Sequence, residues 1–219
     1  MDKCLVCNAN IEVFDIKVNI CGSINCEYKS RTLFNNDDYI VNFVKNKESE
    51  ALFLLTIAKS AANSDKVMEL FTPVPYFIDM TNKEVLLTIK IVLTNIKKDL
   101  NSIIEMNNDL IIFDSFGIFK YGLFKYIFKS NLMNIKDTNM FKMTTLKTYE
   151  VNHYDGDIKE FNQDLTNNGS CYLFHGSSMN NWYSIMMNGL KIFSNTRRMI
   201  NGNSYGNGIY LSNSFQTSR

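Results

Sequence analysis

The stretches Cys171-Tyr172-Leu173-Phe174-His175-Gly176-Ser177 and Tyr205-Gly206-Asn207-Gly208-Ile209-Tyr210-Leu211-Ser212 decide how this chain is read. Each sets a short apolar run of β character beside a glycine-bearing turn. Between them, Trp182, Ile185, Met186 and Leu190 fit one face of a helix, and Gly189 stands where that helix should stop. The expected order is strand, helix, loop, strand. Glycine beside a strand end lets backbone atoms approach a flat ligand, because no Cβ holds the ligand away. A histidine at the first turn and a tyrosine just after the second add hydrogen-bonding groups to the same cleft. Taken singly, a His-Gly pair is an ordinary turn, and Gly-x-Gly before an apolar run is an ordinary entry into a strand.

Taken in order they resemble something specific. Phe174-His175-Gly176-Ser177, then Trp182 and Ile185, then Asn188-Gly189-Leu190, then Tyr205-Gly206-x-Gly208-Ile209-Tyr210-Leu211-Ser212 look like the opening half of the catalytic domain of the poly(ADP-ribose) polymerase (PARP) family. A tryptophan after His-Gly-Ser gives the flavour of its mono-ADP-ribosylating branch. The resemblance is strong over residues 171–219 and faint elsewhere.

It implies an NAD-dependent ADP-ribosyltransferase with a protein as acceptor. His175 matches the histidine that hydrogen-bonds the adenosine ribose, and Ser177 would touch the same ribose. Gly176 would hold the nicotinamide carboxamide through its backbone N–H and C=O, a donor and acceptor pair that an amide satisfies at both ends. Tyr210 matches the tyrosine packed against nicotinamide, and Ser218, eight positions on, the serine that bonds the carboxamide oxygen. Tyr205 and the loop 191–204 would border the cofactor. The catalytic pair implied is His175 and Tyr210, and neither has to gain or lose a proton. The protein would bend NAD+ and stabilise positive charge developing on the ribose.

The family pattern continues with a second tyrosine three residues beyond Ser218 and, much later, a third triad position. Both lie past Arg219, so a C-terminally truncated catalytic domain is expected, with little turnover by residues 1–219 alone. Mono- against poly-transfer would be read at that third position.

At the other end, Cys4, Cys7, Cys21 and Cys26 form a C-x2-C and a C-x4-C pair separated by thirteen residues. Two close thiolate pairs can each supply two corners of a tetrahedron, so a Cys4 zinc-ribbon-like module is expected. Four protein sulfurs leave no open position, which makes such a zinc structural. The alternative is four reduced thiols, some simply buried.

In between, residues 37–70 read as two helices. Tyr39, Ile40, Phe43 and Val44 share one helical face, and Ala51, Leu54, Leu55, Ala58 and Ala61 continue the pattern. Asp37 and Asp38 suit a helix start, and Pro73-Val74-Pro75 ends the regular structure. Residues 83–106 read as a third helix carrying Val85, Ile89, Val92, Leu93, Ile96, Leu100, Ile103 and Ile104 on a broad apolar face. Residues 111–128 are dense in aromatics, read as core rather than as a base-stacking platform. Asp155-Gly156 and the polar stretch 162–170 read as punctuation. The fold class is therefore α+β in three parts: a zinc-binding module at 1–35, a helical region at 36–150, and the transferase-like part at 151–219.

Composition limits the partners. Lys plus Arg number 23 against 22 Asp plus Glu, a net charge of +1, which offers no field for a polyanion, so nucleic acid is not favoured. The most apolar stretch, 109–128, carries Asp114, Lys120 and Lys125, too many charges for a membrane span. The N-terminus lacks the pattern of a secretory signal, and an intracellular protein, cytoplasmic or nuclear, is the expectation. Oligomeric state is left open. Two functions compete: an ADP-ribosyltransferase, and an inactive relative that binds partners around a structural zinc site.

Overall fold

The computed structural model describes residues 2–3, 10–11, 38–72, 74–75, 78–129, 134–138, 147–152, 155–192 and 206–218. The chain divides into two compact units, one made of residues 1–56 and 74–130, the other of 57–73 and 131–219. Cys4, Cys7, Cys21 and Cys26 lie outside the described residues. The short strands β1 (Asp2–Lys3) and β2 (Asn10–Ile11), which pair antiparallel, fall on either side of the first cysteine pair in sequence.

The first unit is helical. Helix α1 (Tyr39–Asn46) buries Ile40, Val41 and Val44, much as the apolar spacing required. Its chain continues into α2 (Glu48–Ala62), whose Ala51, Leu54, Leu55, Ala58 and Ala61 are all fully buried. The short α3 (Val67–Leu70) follows in sequence, within the stretch 57–73 that belongs to the second unit. The expected single helix over 83–106 is two, α4 (Lys83–Val92) and α5 (Ile96–Glu105). The break falls at Thr94-Asn95, where the Thr94 hydroxyl donates to Lys90 O at 2.9 Å and its N–H turns to Ile91 O at 3.0 Å. Such local polar bonds compete with helix propagation. The apolar stripe nevertheless runs through both helices, with Ile89, Leu93, Ile96, Leu100 and Ile103 buried.

The aromatic run becomes α6 (Asp109–Lys129), kinked at Gly117, where φ is 73° and ψ 162°. Only glycine adopts that conformation without strain. Tyr121, Phe124 and Phe128 are buried, and Phe43 stacks on Phe128 with ring centroids 4.8 Å apart, so this end of the aromatic run is core, while Phe113, Phe116, Phe119 and Tyr126 are half-buried.

Helix α1 starts differently from the sequence expectation. Asp38 stands at its N-cap, with φ of 51°, but makes no side-chain cap bond. The cap comes from Asp109, whose carboxylate accepts from Ile40 N at 3.1 Å and Val41 N at 2.9 Å. Asp38 returns the exchange by accepting from Asp109 N at 2.9 Å. A carboxylate there satisfies orphan helix donors and meets the positive end of the helix dipole. It also accepts from the Tyr121 hydroxyl at 3.0 Å, and Lys125 Nζ, with no side-chain exposure, sits 3.8 Å from it while donating to Tyr121 Oη at 3.0 Å. A buried charge pair of this kind requires its surrounding hydrogen bonds.

In the second unit, a hairpin that the sequence reading did not anticipate joins β3 (Asn134–Thr138) to β4 (Thr148–Asn152) in antiparallel register, Asn134 opposite Asn152 and Thr138 opposite Thr148. Helix α7 (Asp155–Asn168) replaces the break expected at 155–170. Residues 162–170 are all exposed, and the polar composition of that stretch masked the helical spacing of Ile158, Phe161 and Leu165. Gly169, at φ 72°, ends it. Helix α8 (Met179–Asn188) stops at Gly189, with φ 78°, where the sequence placed its end. Its buried face is Tyr183, Ser184, Met186 and Met187, not the Trp182 and Ile185 side. Leu190 lies beyond the helix and is exposed.

Residues 57–73 belong to this unit and pack beneath α8. Phe71 stacks on Tyr183 at 4.7 Å, and Asn188 Nδ2 donates to Thr72 O at 2.9 Å. Among the described residues, no helix is long and apolar enough to cross a membrane.

Candidate NAD-binding site

The two segments singled out in the sequence meet at one point. Phe174 N donates to Ser212 O at 2.7 Å, and Ser212 N returns a bond to Phe174 O at 3.0 Å, an isolated antiparallel bridge. The strands expected over 171–174 and 209–211 do not extend further. Leu173, Phe174 and Leu211 are exposed, so little apolar burial is available to hold a longer ladder.

That single bridge sets the site. His175 follows Phe174 immediately, and its Nδ1 lies 3.0 Å from Tyr210 O. A carbonyl oxygen only accepts, so Nδ1 carries the proton, and in the neutral ring Nε2 presents its lone pair. The residues matched to the catalytic pair are thus joined, side chain to backbone. The Tyr210 hydroxyl turns back to donate to Gly206 O at 2.5 Å, closing the glycine turn. Gly206 has φ of 94°, a conformation that L side chains rarely adopt.

Gly176 is required for a separate reason. A Cβ built there would fall 1.5 Å from Ser218 O. The backbone of the turn α9 (Phe215–Ser218) therefore lies directly on Gly176. The Ser218 hydroxyl donates to Phe174 O at 3.0 Å, and the Phe215 ring meets Phe174 edge-on at 5.8 Å. Hydroxyls upstream prepare this turn: Ser212 Oγ accepts from Ser214 N at 3.0 Å, and Ser214 Oγ from Thr217 N at 3.4 Å. The serine-rich stretch 212–218 was the sequence signal for such side-chain-to-backbone turns, and it went unread.

Ser177 is fixed from the other side. Trp182 Nε1 donates to its carbonyl at 3.2 Å, and Asn181 Nδ2 to its hydroxyl at 2.9 Å. Asn181, in the first turn of α8, was not singled out by the sequence; its place four residues after Ser177 is the only hint there was. His175, Ser177, Tyr210 and Ser218 are half-buried, while Gly176 is exposed. Tyr205 and the segment 193–204, expected to border the pocket, lie outside the described residues.

The described site holds one imidazole and several hydroxyls and backbone groups converging on Gly176. Among the described residues no group of three or more His, Cys, Asp or Glu is placed to hold a metal. The groups present offer recognition by hydrogen bonds and packing, with backbone exposed at a residue that has no side chain. Such a donor and acceptor set suits a polar ligand bearing hydroxyls and an amide, as NAD does.

The model of the poly(ADP-ribose) polymerase catalytic domain family matches residues 124–219. Protein mono-ADP-ribosyltransferase PARP8 of Homo sapiens is 57% identical over 44 residues, 20% of this chain and 5% of the relative, and that of Mus musculus is the same. Poly [ADP-ribose] polymerase 2 of Homo sapiens is 39% identical over 71 residues, 32% of this chain and 12% of the relative. The chain thus spans only a small part of the length of these relatives. Residues 124–219, somewhat under half of the chain, are thus similar to the catalytic domain of the poly(ADP-ribose) polymerase family.

Proposed function

We propose that the cleft formed by His175, Gly176, Ser177, Tyr210 and Ser218 binds NAD+, and that the protein carrying it transfers a single ADP-ribosyl group to protein acceptors. The observation that carries this reading is the bond from His175 Nδ1 to Tyr210 O at 3.0 Å. It ties the two family positions together and leaves Nε2 directed by a fixed tautomer. Bound there, NAD+ supplies the transferable group: its bond from ribose carbon to nicotinamide nitrogen breaks, nicotinamide keeps the electron pair, and an acceptor side chain forms the new bond to that carbon.

The chain's own part is to grip and orient. His175 Nε2 and the Ser177 hydroxyl meet the adenosine ribose. Gly176 offers backbone N–H and C=O to the carboxamide, and Tyr210, with Tyr205 beside it in sequence, borders the nicotinamide side. For Ser218 to bond the carboxamide oxygen, its hydroxyl must turn away from Phe174 O, where it now donates. The mono-transfer assignment is supported by the likeness to PARP8, named as a mono-ADP-ribosyltransferase.

A second reading, a related module that binds partners without turnover, is favoured by one observation: the Ser218 hydroxyl, matched to the carboxamide contact, is engaged with Phe174 O. In either reading Cys4, Cys7, Cys21 and Cys26 hold a structural zinc ion, supported by the chemistry and spacing of four thiolates.

Incubation with biotin-labelled NAD+, beside calorimetric NAD+ titration, separates these readings. Binding with label transfer, both lost in His175→Ala, supports the enzyme. Binding with no transfer supports the module, and no binding sinks both.

A further inference from the structure

Asn181 carries an imbalance that the family resemblance does not explain. Its Nδ2 donates to Ser177 Oγ at 2.9 Å, yet its Oδ1 is buried with no hydrogen-bond partner among the described residues. The opposite amide orientation would let Oδ1 accept from the Ser177 hydroxyl but would strand a buried NH2 with two donors. Orphaned buried donors are rarer than under-satisfied acceptors. The orientation seen has a consequence for Ser177. Its oxygen is already accepting, so its hydroxyl proton is not spent on Asn181, and it meets no acceptor among the described residues.

The Ser177 backbone is held as well. Its carbonyl accepts from Trp182 Nε1 at 3.2 Å, and Asn181 N donates to Ser178 O at 3.0 Å, the first turn of α8. Ser177 is half-buried, and its hydroxyl oxygen faces Asn181 Nδ2. A hydroxyl left to itself rotates to suit any neighbour. One that accepts a fixed donor keeps its proton for the opposite direction.

We infer that Asn181 is a positioning residue: by donating to Ser177 Oγ, it commits the Ser177 hydroxyl to act as a donor toward an acceptor oxygen of the bound ligand. This inference rests on the NAD-binding reading, in which that oxygen belongs to a ribose. Asn181 acts through Ser177.

The test uses the whole chain and the affinity for NAD+. The sole tryptophan, Trp182, is bonded to Ser177 and reports binding by fluorescence. Asn181→Ala is expected to weaken NAD+ about fivefold, the range of one neutral hydrogen bond, and Ser177→Ala by a similar factor. The double variant should bind no more weakly than Ser177→Ala alone. Asn181→Asp keeps the size but offers only acceptors when ionised, so it draws the hydroxyl proton onto itself and should weaken binding at least as much as Asn181→Ala. Repeating it in the Ser177→Ala background removes the hydroxyl and leaves the effect of the charge, which is then subtracted.

A merely structural role would be indifferent to the direction of this bond. Effects of Asn181 and Ser177 that add independently, or an Asn181→Asp that binds like wild type, would overturn the assignment. In that case wild type still binds NAD+, which separates this failure from failure of the cofactor reading, where wild type does not bind at all. Should Asn181→Ala fail to fold, as seen by circular dichroism, the Asn181→Asp pair of measurements decides alone.

Discussion

The rings of Phe71 and Tyr183 lie nearly parallel, 4.7 Å apart with 7° between their planes. They join a helical segment near the middle of the chain to the helix that follows His-Gly-Ser. Both rings are fully buried. The segment 57–73 lies outside the stretch matched to the transferase family, residues 124–219, yet it supports α8 from below. Removing the ring with Phe71→Ala should cost about 3–5 kcal/mol, the range for a buried aromatic. Urea denaturation monitored at Trp182 measures it, and NAD+ affinity should fall in parallel as α8 loosens. A change under 1 kcal/mol would mean that residues 57–73 do not support the site.

Gly176 gives a sharper steric prediction. With Ser218 O 1.5 Å from the place of a Cβ, Gly176→Ala must displace α9, costing about 1–3 kcal/mol by overpacking. Hydrogen exchange across 212–218 should accelerate while exchange in α1 is unchanged. An unaltered exchange pattern would show that the close approach is not maintained in solution.

Replacing His175 by alanine removes both the ring aimed at the ligand and the bond to Tyr210 O. NAD+ binding should weaken by at least about tenfold, since one such bond in a half-buried site is worth about 1 kcal/mol and two are lost. His175→Gln can restore a donor to Tyr210 O and should recover part of the affinity. If the glutamine variant is as poor as alanine, the tie to Tyr210 contributes nothing.

In the helical unit, Asp109→Ala takes the carboxylate away from the buried Lys125 and uncaps α1. A loss of about 3–5 kcal/mol is expected, as for breaking any buried ion pair by one partner. Adding Lys125→Met should recover much of it, because the uncompensated charge is then gone. Equal stability of the single and double variants by chemical denaturation would contradict the reading of this pair.

The cysteine module is tested by metal content. Reduced protein is expected to carry one zinc ion per chain, and Cys21→Ser should lower that content and release zinc to a chelator at lower concentration. Zinc-free, folded protein would return the four cysteines to ordinary thiols.

Much of this was written locally. The helical stripes of α1, α2, α4 and α5 were legible because apolar residues recur at helical spacing, and most of those singled out are buried, while Gly189 ended α8 where expected. The motif residues His175, Gly176, Tyr210 and Ser218 were legible as letters in order. What stayed hidden was whatever depends on a partner far away in the chain or on the absence of a pattern. Helix α7 stayed unread because its few apolar residues, Ile158, Phe161 and Leu165, are spread through a polar stretch. Asp109 caps a helix about seventy positions before it, and no local signal announces such a cap.

Sequence by itself determined the family motif and the glycine turns, since these are set by residue identity and φ preference. Only the tertiary structure decided that His175 takes its proton on Nδ1 against Tyr210 O, that Asn181 donates to the Ser177 oxygen, and that Phe71 of the segment 57–73 stacks on Tyr183 of α8. The reason is physical: a tautomer, a hydroxyl direction and a ring stack are fixed by where the second partner lies, and that place is known only once the chain has folded.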